Sequence, residues 1–138
     1  MRTGDLTIYK YRWNVRLYFA VTDYYIDDIL ESLYSIYCPD KIMQRVEEKM
    51  SARQLDTGFT YSNPRLRRSV LVVGLTSSPA EFFNSFTHEI RHLIDDIAKA
   101  VGLEMTGEDV AYLTGDVSLD LWPYVHKFIC CKCRHDER

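Results

Sequence analysis

The sequence predicts a single α+β domain over residues 1–138, in which a small mixed or antiparallel sheet packs on helices. The length of 138 residues and a hydrophobic content of 46% suit one compact core. Apolar and polar residues alternate over residues 9–21, which is typical of a half-buried strand. Apolar residues at helical spacing follow a helix-start signature at Ser78. Residues 129–138 are expected to form a loose C-terminal tail.

In the first half of the chain, predicted strands and helices alternate. Thr22 is expected to cap a helix that runs to about Tyr37, because Pro39 restricts the residue before it. Pro39 then starts a second helix, whose narrow apolar stripe predicts a surface position. A strand at residues 59–61, a turn and an apolar run at residues 69–75 predict a hairpin whose second strand is buried.

Two helices are predicted in the second half. Ser78-Pro79-Ala80-Glu81 combines a capping serine, a proline at the first helical position and a glutamate three residues after the cap. This helix is expected to continue to the residue before Gly102, which provides the stop. Thr106-Gly107-Glu108-Asp109 begins another helix, and Trp122-Pro123 predicts a break or restart in it.

The charge balance gives no overall reason to expect a nucleic-acid partner. The net charge is −3, whereas proteins that bind nucleic acid usually carry a basic excess. A polyanion partner would therefore need a local basic patch. Arg65, Arg67 and Arg68 form the only notable basic cluster, and the solvated end of a hairpin explains them more simply.

The expected location is the cytoplasm, without a membrane partner. The first five residues lack the apolar stretch of a secretory signal, and no apolar run is long enough to cross a bilayer. Cys38 stands alone in the sequence, while Cys130, Cys131 and Cys133 are bunched near the C-terminus. This distribution does not suggest a disulfide framework.

The run His88-Glu89-Ile90-Arg91-His92 carries the main chemical signal, and it falls within a predicted helix. Residues four apart lie about 40 degrees apart around a helix and one turn along it, so both imidazoles can reach one ion. Glu89 projects about 100 degrees from His88, which suits a carboxylate that accepts a proton from water rather than binding the metal. Zinc would lower the pKa of that water to about 7. The motif therefore predicts a zinc site.

A catalytic zinc normally has three protein ligands and one open position, so the two histidines require a third residue. Glu108 is the first candidate, because a turn through Gly102 can fold the next helix back across the site, and Ala111 permits close helix packing. The structural explanation of Glu108 is an exposed acid favoured by the helix dipole. Other candidates are Glu104 and Asp109, and a different geometry would involve Asp116, His126 or Cys130.

The sequence His88-Glu89-Ile90-Arg91-His92, followed by Glu108-Asp109-Val110-Ala111-Tyr112, resembles the gluzincin branch of zinc peptidases. In scale the chain is similar to the ImmA and IrrE type of phage and mobile-element peptidases. The resemblance covers roughly the second half of the chain and implies a minimal zincin-like domain. It also implies zinc binding by His88, His92 and Glu108, with Glu89 as the general base. An edge strand, here residues 69–75, would hold a peptide or protein substrate by main-chain hydrogen bonds.

Several secondary features have both a functional and a structural interpretation. Asp95 and Asp96 are candidates to accept the distal N–H of a ligating imidazole, or they form a solvated helix face. Tyr112 and His126 are candidates to stabilise the oxyanion of peptide hydrolysis, although such residues more often serve packing or the surface. Near the C-terminus, a second soft-metal site would use four residues that lack the usual spacing, namely Cys130, Cys131, Cys133 and His135.

The leading hypothesis is zinc-dependent peptide-bond hydrolysis. One alternative is a non-catalytic, zincin-like interaction or regulatory module of a phage or mobile element. Another is a protease directed at a single repressor or partner, which a general assay would miss. Zinc bound without cleavage of any peptide would favour the non-catalytic module.

Overall fold

In the part of the chain that the structure describes, four strands form one mixed sheet and four helices cover it. The computed structural model describes residues 2–22, 25–52 and 58–130. The predicted α+β class and the small mixed sheet are confirmed. In chain order the elements are β1 (Arg2–Ile8), β2 (Trp13–Val21), α1 (Ile26–Ser35), α2 (Asp40–Ser51), β3 (Gly58–Asn63), β4 (Arg68–Gly74), α3 (Pro79–Val101) and α4 (Glu108–Ile129).

The strand order in the sheet is β1-β2-β4-β3. The hairpins β1–β2 and β3–β4 are antiparallel, and they join through parallel pairing of β2 with β4, in which Leu17 lies opposite Leu71. The predicted hairpin with a buried second strand is therefore confirmed. The prediction that residues 69–75 form an edge strand is wrong, because β4 lies between β2 and β3. Its continuous apolar run is typical of a strand buried on both faces.

Each face of the sheet has its own hydrophobic core. Leu71 and Val73 of β4 face α3 and α4, together with the odd-numbered residues of β2 from Trp13 to Phe19. Val70 and Val72 face α1 and α2. The sheet is thus the middle of three layers, with α3 running under β3 and β4 and α4 contacting β1 and β2.

The N-terminal region differs from its prediction. The alternating strand begins only at Trp13, because Tyr9–Tyr11 forms a 3₁₀ turn and Arg12 is left-handed, with φ of 52°. From Trp13 to Phe19 the odd positions are buried, as the alternation predicts, but Tyr18 and Ala20 are buried as well. The prediction of a half-buried strand is therefore wrong beyond Arg16, where helices cover both faces of β2. Strand β1 was not predicted, since only its last residues, Leu6 and Ile8, are buried.

The two long helices begin where their sequence signals indicate. The Ser78 hydroxyl accepts a hydrogen bond from the Glu81 amide at 3.1 Å, and Gly102 ends α3 with φ of 78°. The predicted break at Pro123 is wrong, because α4 continues through it. Burial of Leu121 and Val125 on either side of Pro123 offsets the backbone donor that proline lacks.

The short helices lie close to their predicted positions, and the start of the predicted tail is helical. Helix α1 begins at Ile26 and ends at Ser35, inside the span predicted for it, and α2 follows directly after Pro39. The prediction that Thr22 caps α1 is wrong, because Tyr25 is the residue before its first turn. The predicted tail lies outside the described residues from residue 131 onward, whereas Ile129 belongs to α4. None of the described helices combines the length and apolar character needed to cross a membrane.

Candidate metal centre

Helix α3 presents different residues to the sheet, to α4 and to solvent. Its sheet-facing and α4-facing positions include Phe82, Ile90 and Leu93, all buried in the larger core. The flank that carries His88 and His92 is exposed. The apolar spacing that fixes the helix against the sheet thereby leaves both histidines of the motif accessible.

The two imidazoles lie close together, as their spacing predicts. The Nε2 atoms of His88 and His92 are 3.2 Å apart, and their ring centroids are 4.8 Å apart with an interplanar angle of 74°. Two nitrogen ligands at about 2.05 Å from a tetrahedral zinc ion are about 3.3 Å apart. The pair therefore fits two positions of such an ion. A hydrogen bond between the two rings accounts for the same distance when no metal is bound.

Glu89 faces the sheet, beside the flank that carries the two histidines. Its residue exposure is only 2%, and the Thr60 hydroxyl of β3 donates a hydrogen bond to its Oε1 atom at 2.9 Å. Burial raises the pKa of Glu89 above its ordinary value, while the Thr60 hydrogen bond and the nearby imidazoles partly oppose the shift. Glu89 is thus a shielded carboxyl group one residue from a ligand candidate.

A cleft of about 970 Å³ adjoins the histidines along the groove between α3 and α4. Its walls are mainly apolar, with Phe83, Phe86 and Ile94 from α3 and Val110 and Trp122 from α4. His88 and His92 also line it. A concave apolar site with a few polar groups is the usual form of a ligand pocket.

Glu108 is not brought to the histidine pair. The ring contact between Phe82 and Phe128, at 5.0 Å, joins the start of α3 to the end of α4, so the helices are antiparallel. Glu108 opens α4 and lies beside the end of α3, whereas His92 is about 14 Å back along the axis of α3. In the described ranges, no three His, Cys, Asp or Glu side chains are grouped to hold a metal ion. The structure thus brings two candidate ligands together, and the role of Glu108 as the third ligand stays a prediction.

The two candidates for oxyanion stabilisation lie elsewhere on α4. Tyr112 is 65% exposed, and His126 is buried with its ring 5.7 Å from that of Trp122. Within the described part of the chain, neither lines the cleft beside His88 and His92. Their proposed roles remain predictions that this arrangement does not favour.

Other predicted acids and cysteines are also apart from the pair. Asp95 accepts hydrogen bonds from Arg91, and Asp96 accepts one from Ser62 at 2.7 Å. Within the part of the chain that the structure describes, neither carboxylate forms a hydrogen bond with His92. Cys130 follows α4, but the remaining members of the second soft-metal cluster lie outside the described residues.

Thr60 and Ser62 are the site residues that sequence reasoning missed. Thr60 bonds Glu89, and Ser62 bonds both Asp96 and Ser69, so strand β3 is attached to α3 at two points. Their two-residue spacing is a signal of one polar strand face. The partner of that face could not be inferred, because the sequence does not report which helix covers β3.

Comparison of the chain with protein-family models, with curated proteins and with solved structures finds no match. The gluzincin resemblance consequently stands on the motif residues. The functional argument rests on the geometry of the histidine pair and its surroundings.

Proposed function

We propose that the chain is a zinc-dependent peptide hydrolase of minimal zincin-like fold, with His88 and His92 binding the ion. The observation that carries this proposal is the 3.2 Å separation of the two Nε2 atoms on an exposed flank of α3. Two imidazoles so disposed match the separation of zinc ligands. The cytoplasm is the compartment that we propose for this activity.

Glu89 is the proposed general base. Bound zinc would supply an acidified water and a polarised carbonyl. Glu89 would accept a proton from the attacking water and deliver it to the leaving amine. Because Thr60 bonds Oε1, we assign the proton transfer to Oε2. Burial raises the pKa of Glu89 above its ordinary value, and the Thr60 hydrogen bond and both imidazoles oppose that shift.

The proposed substrate is an extended peptide held along β3. This strand pairs only with β4 in the described sheet, so its other edge has backbone groups available for a further strand. β3 also bonds the α3 residue Glu89 through Thr60, which connects the open edge with the proposed base. The apolar cleft beside His88 fits a bulky apolar side chain of such a peptide.

Zinc titration of single variants tests the metal site. His88→Ala and His92→Ala should each weaken zinc binding by at least about 100-fold, beyond the 10–100-fold typical of outer-shell partners. Glu108→Ala should do the same if it is the third ligand, and Asp120→Ala, at another exposed acid of α4, is the matched control. Unchanged affinity in Glu108→Ala would remove Glu108 from the site, and unchanged affinity in both histidine variants would refute the zinc site.

Glu89→Gln tests the catalytic step. The amide keeps a hydrogen-bond acceptor for Thr60, so zinc binding and folding should be retained while peptide cleavage is lost. Cleavage is measured on a peptide library by mass spectrometry, with zinc content determined on the same samples. Full activity of a zinc-loaded Glu89→Gln protein would exclude the assigned base.

The burial of Glu89 favours a second candidate function, a non-catalytic zincin-like module. A carboxylate that is 2% exposed and bonded to Thr60 serves equally as a fixed link between α3 and β3. Stoichiometric zinc with no cleavage of the library or of proteins from the source cell would favour this module. Cleavage of one cellular protein alone would instead favour a dedicated regulatory protease.

A further inference from the structure

The charges of the chain are segregated along the sequence. Residues 6–22 and 57–80 contain no Asp or Glu, yet they hold six of the 17 Lys and Arg residues. Elsewhere acids outnumber bases, which is why the net charge of −3 hides these segments. A positive surface would result if the fold brought the two segments together.

The fold does bring them together, at the end of the sheet where β2 and β4 begin. The Arg67 carbonyl accepts a hydrogen bond from the Asn14 amide at 3.0 Å, and the Arg67 guanidinium donates one to the Tyr11 carbonyl at 2.8 Å. The β1–β2 connection and the β3–β4 turn are therefore in direct contact. We call the exposed cations of these two turns the basic patch, consisting of Lys10, Arg12, Arg65, Arg67 and Arg68.

Among the described residues, no acid forms an ion pair with a cation of the basic patch. Within the described ranges, the salt bridges join Arg16 to Asp5 and Arg91 to Asp95, and none involves the patch. Arg12 and Arg67 have positive φ values of 52° and 51°. Residues with positive φ in turns are usually glycine or asparagine. The backbone conformation therefore does not explain why both of these positions hold arginine.

Exposed tyrosines accompany the cations. Tyr9, beside Lys10 in the first turn, is 84% exposed. Tyr37 is 77% exposed and follows Ile36, whose carbonyl accepts a hydrogen bond from the Asn63 side chain just before the second turn. Aromatic side chains that stand in water beside arginines are suited to stack on bases.

We propose that the basic patch binds single-stranded nucleic acid, with its arginines on the phosphates and Tyr9 stacked on a base. Arginine matches phosphate oxygens through its planar fork of donors, and four of the five cations are arginines. A lipid surface would be better served by lysines around inserted apolar residues, and Leu66 is the one large apolar side chain exposed in the second turn. This inference is independent of zinc and of peptide hydrolysis.

The test measures fluorescence anisotropy of a labelled 20-nucleotide oligothymidine with the full chain, in the presence of a chelator. We expect saturable binding with a Kd of about 1–10 µM near 50 mM NaCl, and a slope of log K against log salt near about −3 for four phosphate contacts. Lys10→Glu/Arg65→Glu should weaken binding by at least about tenfold. The matched control is Lys49→Glu/Lys127→Glu, which makes the same charge change on exposed residues at the ends of α2 and α4 that lie away from the patch.

Tyr9→Ala separates stacking from charge. It should weaken binding of the oligothymidine by about five- to 20-fold and leave binding of a 20-base-pair duplex unchanged. The proposal is overturned if no saturation occurs by about 50 µM protein near 50 mM NaCl, or if the control double variant loses as much affinity as the patch variant. Tighter binding of the duplex, or patch-dependent binding only to vesicles of phosphatidylcholine and phosphatidylglycerol, would also overturn it.

Discussion

The two faces of the sheet are covered by helix pairs of very different length. Helices α3 and α4 have 23 and 22 residues, whereas α1 and α2 have 10 and 12. On the α3 face, hydrogen bonds from Thr60 and Ser62 attach the edge strand β3 to the helix. On the α1 face, Tyr18 bonds Asp28 and Ser32, the Asn63 amide donates to the Ile36 carbonyl, and the rest of the contact is mainly apolar. The difference is that the α3 face buries a carboxyl group, Glu89, whereas Asp28 on the α1 face is exposed.

The largest expected effect comes from truncating a buried leucine on each face. Leu93→Ala on α3 and Leu33→Ala on α1 should each cost about 2–5 kcal/mol, because both side chains are fully buried. We expect Leu93→Ala to cost more, since α3 contacts both the sheet and α4 and has less room to collapse. Urea denaturation measures both values. An equal or larger cost for Leu33→Ala would contradict the view that the α3 face dominates stability.

Removing the Thr60 hydroxyl should have the next largest effect. Thr60→Val leaves the buried Glu89 without this donor, which should cost about 1–3 kcal/mol. Thr60→Ser is the control, because it keeps the hydroxyl and should recover most of the loss. If the valine and serine variants have the same free energy of unfolding, the hydrogen bond does not hold β3 to α3.

A smaller loss is expected for the polar contact on the opposite face. Tyr18→Phe removes the hydroxyl that donates to Asp28 at 2.6 Å and should cost about 0.5–1.5 kcal/mol. The reason is that Asp28 is exposed, so water replaces the lost donor. Chemical denaturation of this variant beside Thr60→Val measures the difference between the faces. A cost above that of Thr60→Val would reverse the comparison.

Near neutral pH, the smallest effect on stability concerns Cys38 in the α1 face. Burial, with a contribution from Asp40, raises the pKa of its thiol from 9.0 to about 11. Because the folded-state pKa is the higher one, the stabilising contribution is complete below pH 9 and is lost as the pH rises towards 11. At pH 8 the folded protein should alkylate at Cys38 roughly 100-fold more slowly than the urea-unfolded chain, as followed by peptide mass spectrometry. Equal rates would show an accessible thiolate.

Local sequence patterns are sufficient to predict several elements of the fold. Alternation identifies the side of β2 that faces α3 and α4, and the serine cap and Gly102 give both ends of α3. The separation of His88 and His92 follows from helix geometry alone. The continuation of α4 through Pro123 was missed because packing of Leu121 and Val125 outweighs the lost backbone donor, and such tertiary compensation has no local signal.

Non-local arrangement accounts for the remaining differences. The apolar run of β4 fits an edge strand or a central strand, and only the parallel pairing with β2 decides between them. Thr60 contacts Glu89 because β3 lies over α3. The sequence position of neither residue indicates that packing. Glu108 is predicted as a ligand because it follows the motif closely in the chain. Because α3 and α4 run antiparallel, it lies beside the end of α3, away from His92.

The parallel pairing of β2 with β4 has a consequence for how fast the chain acquires its structure. The Trp13 indole donates to Ser69 across 56 residues of sequence, whereas each hairpin closes through a short turn. Closing a long loop costs entropy before its contacts are gained, so the hairpins are expected to form early and their union late. The rate-limiting event would then be the meeting of two preformed halves, and circular permutation within the α1–α2 segment should change the refolding rate more than the final stability.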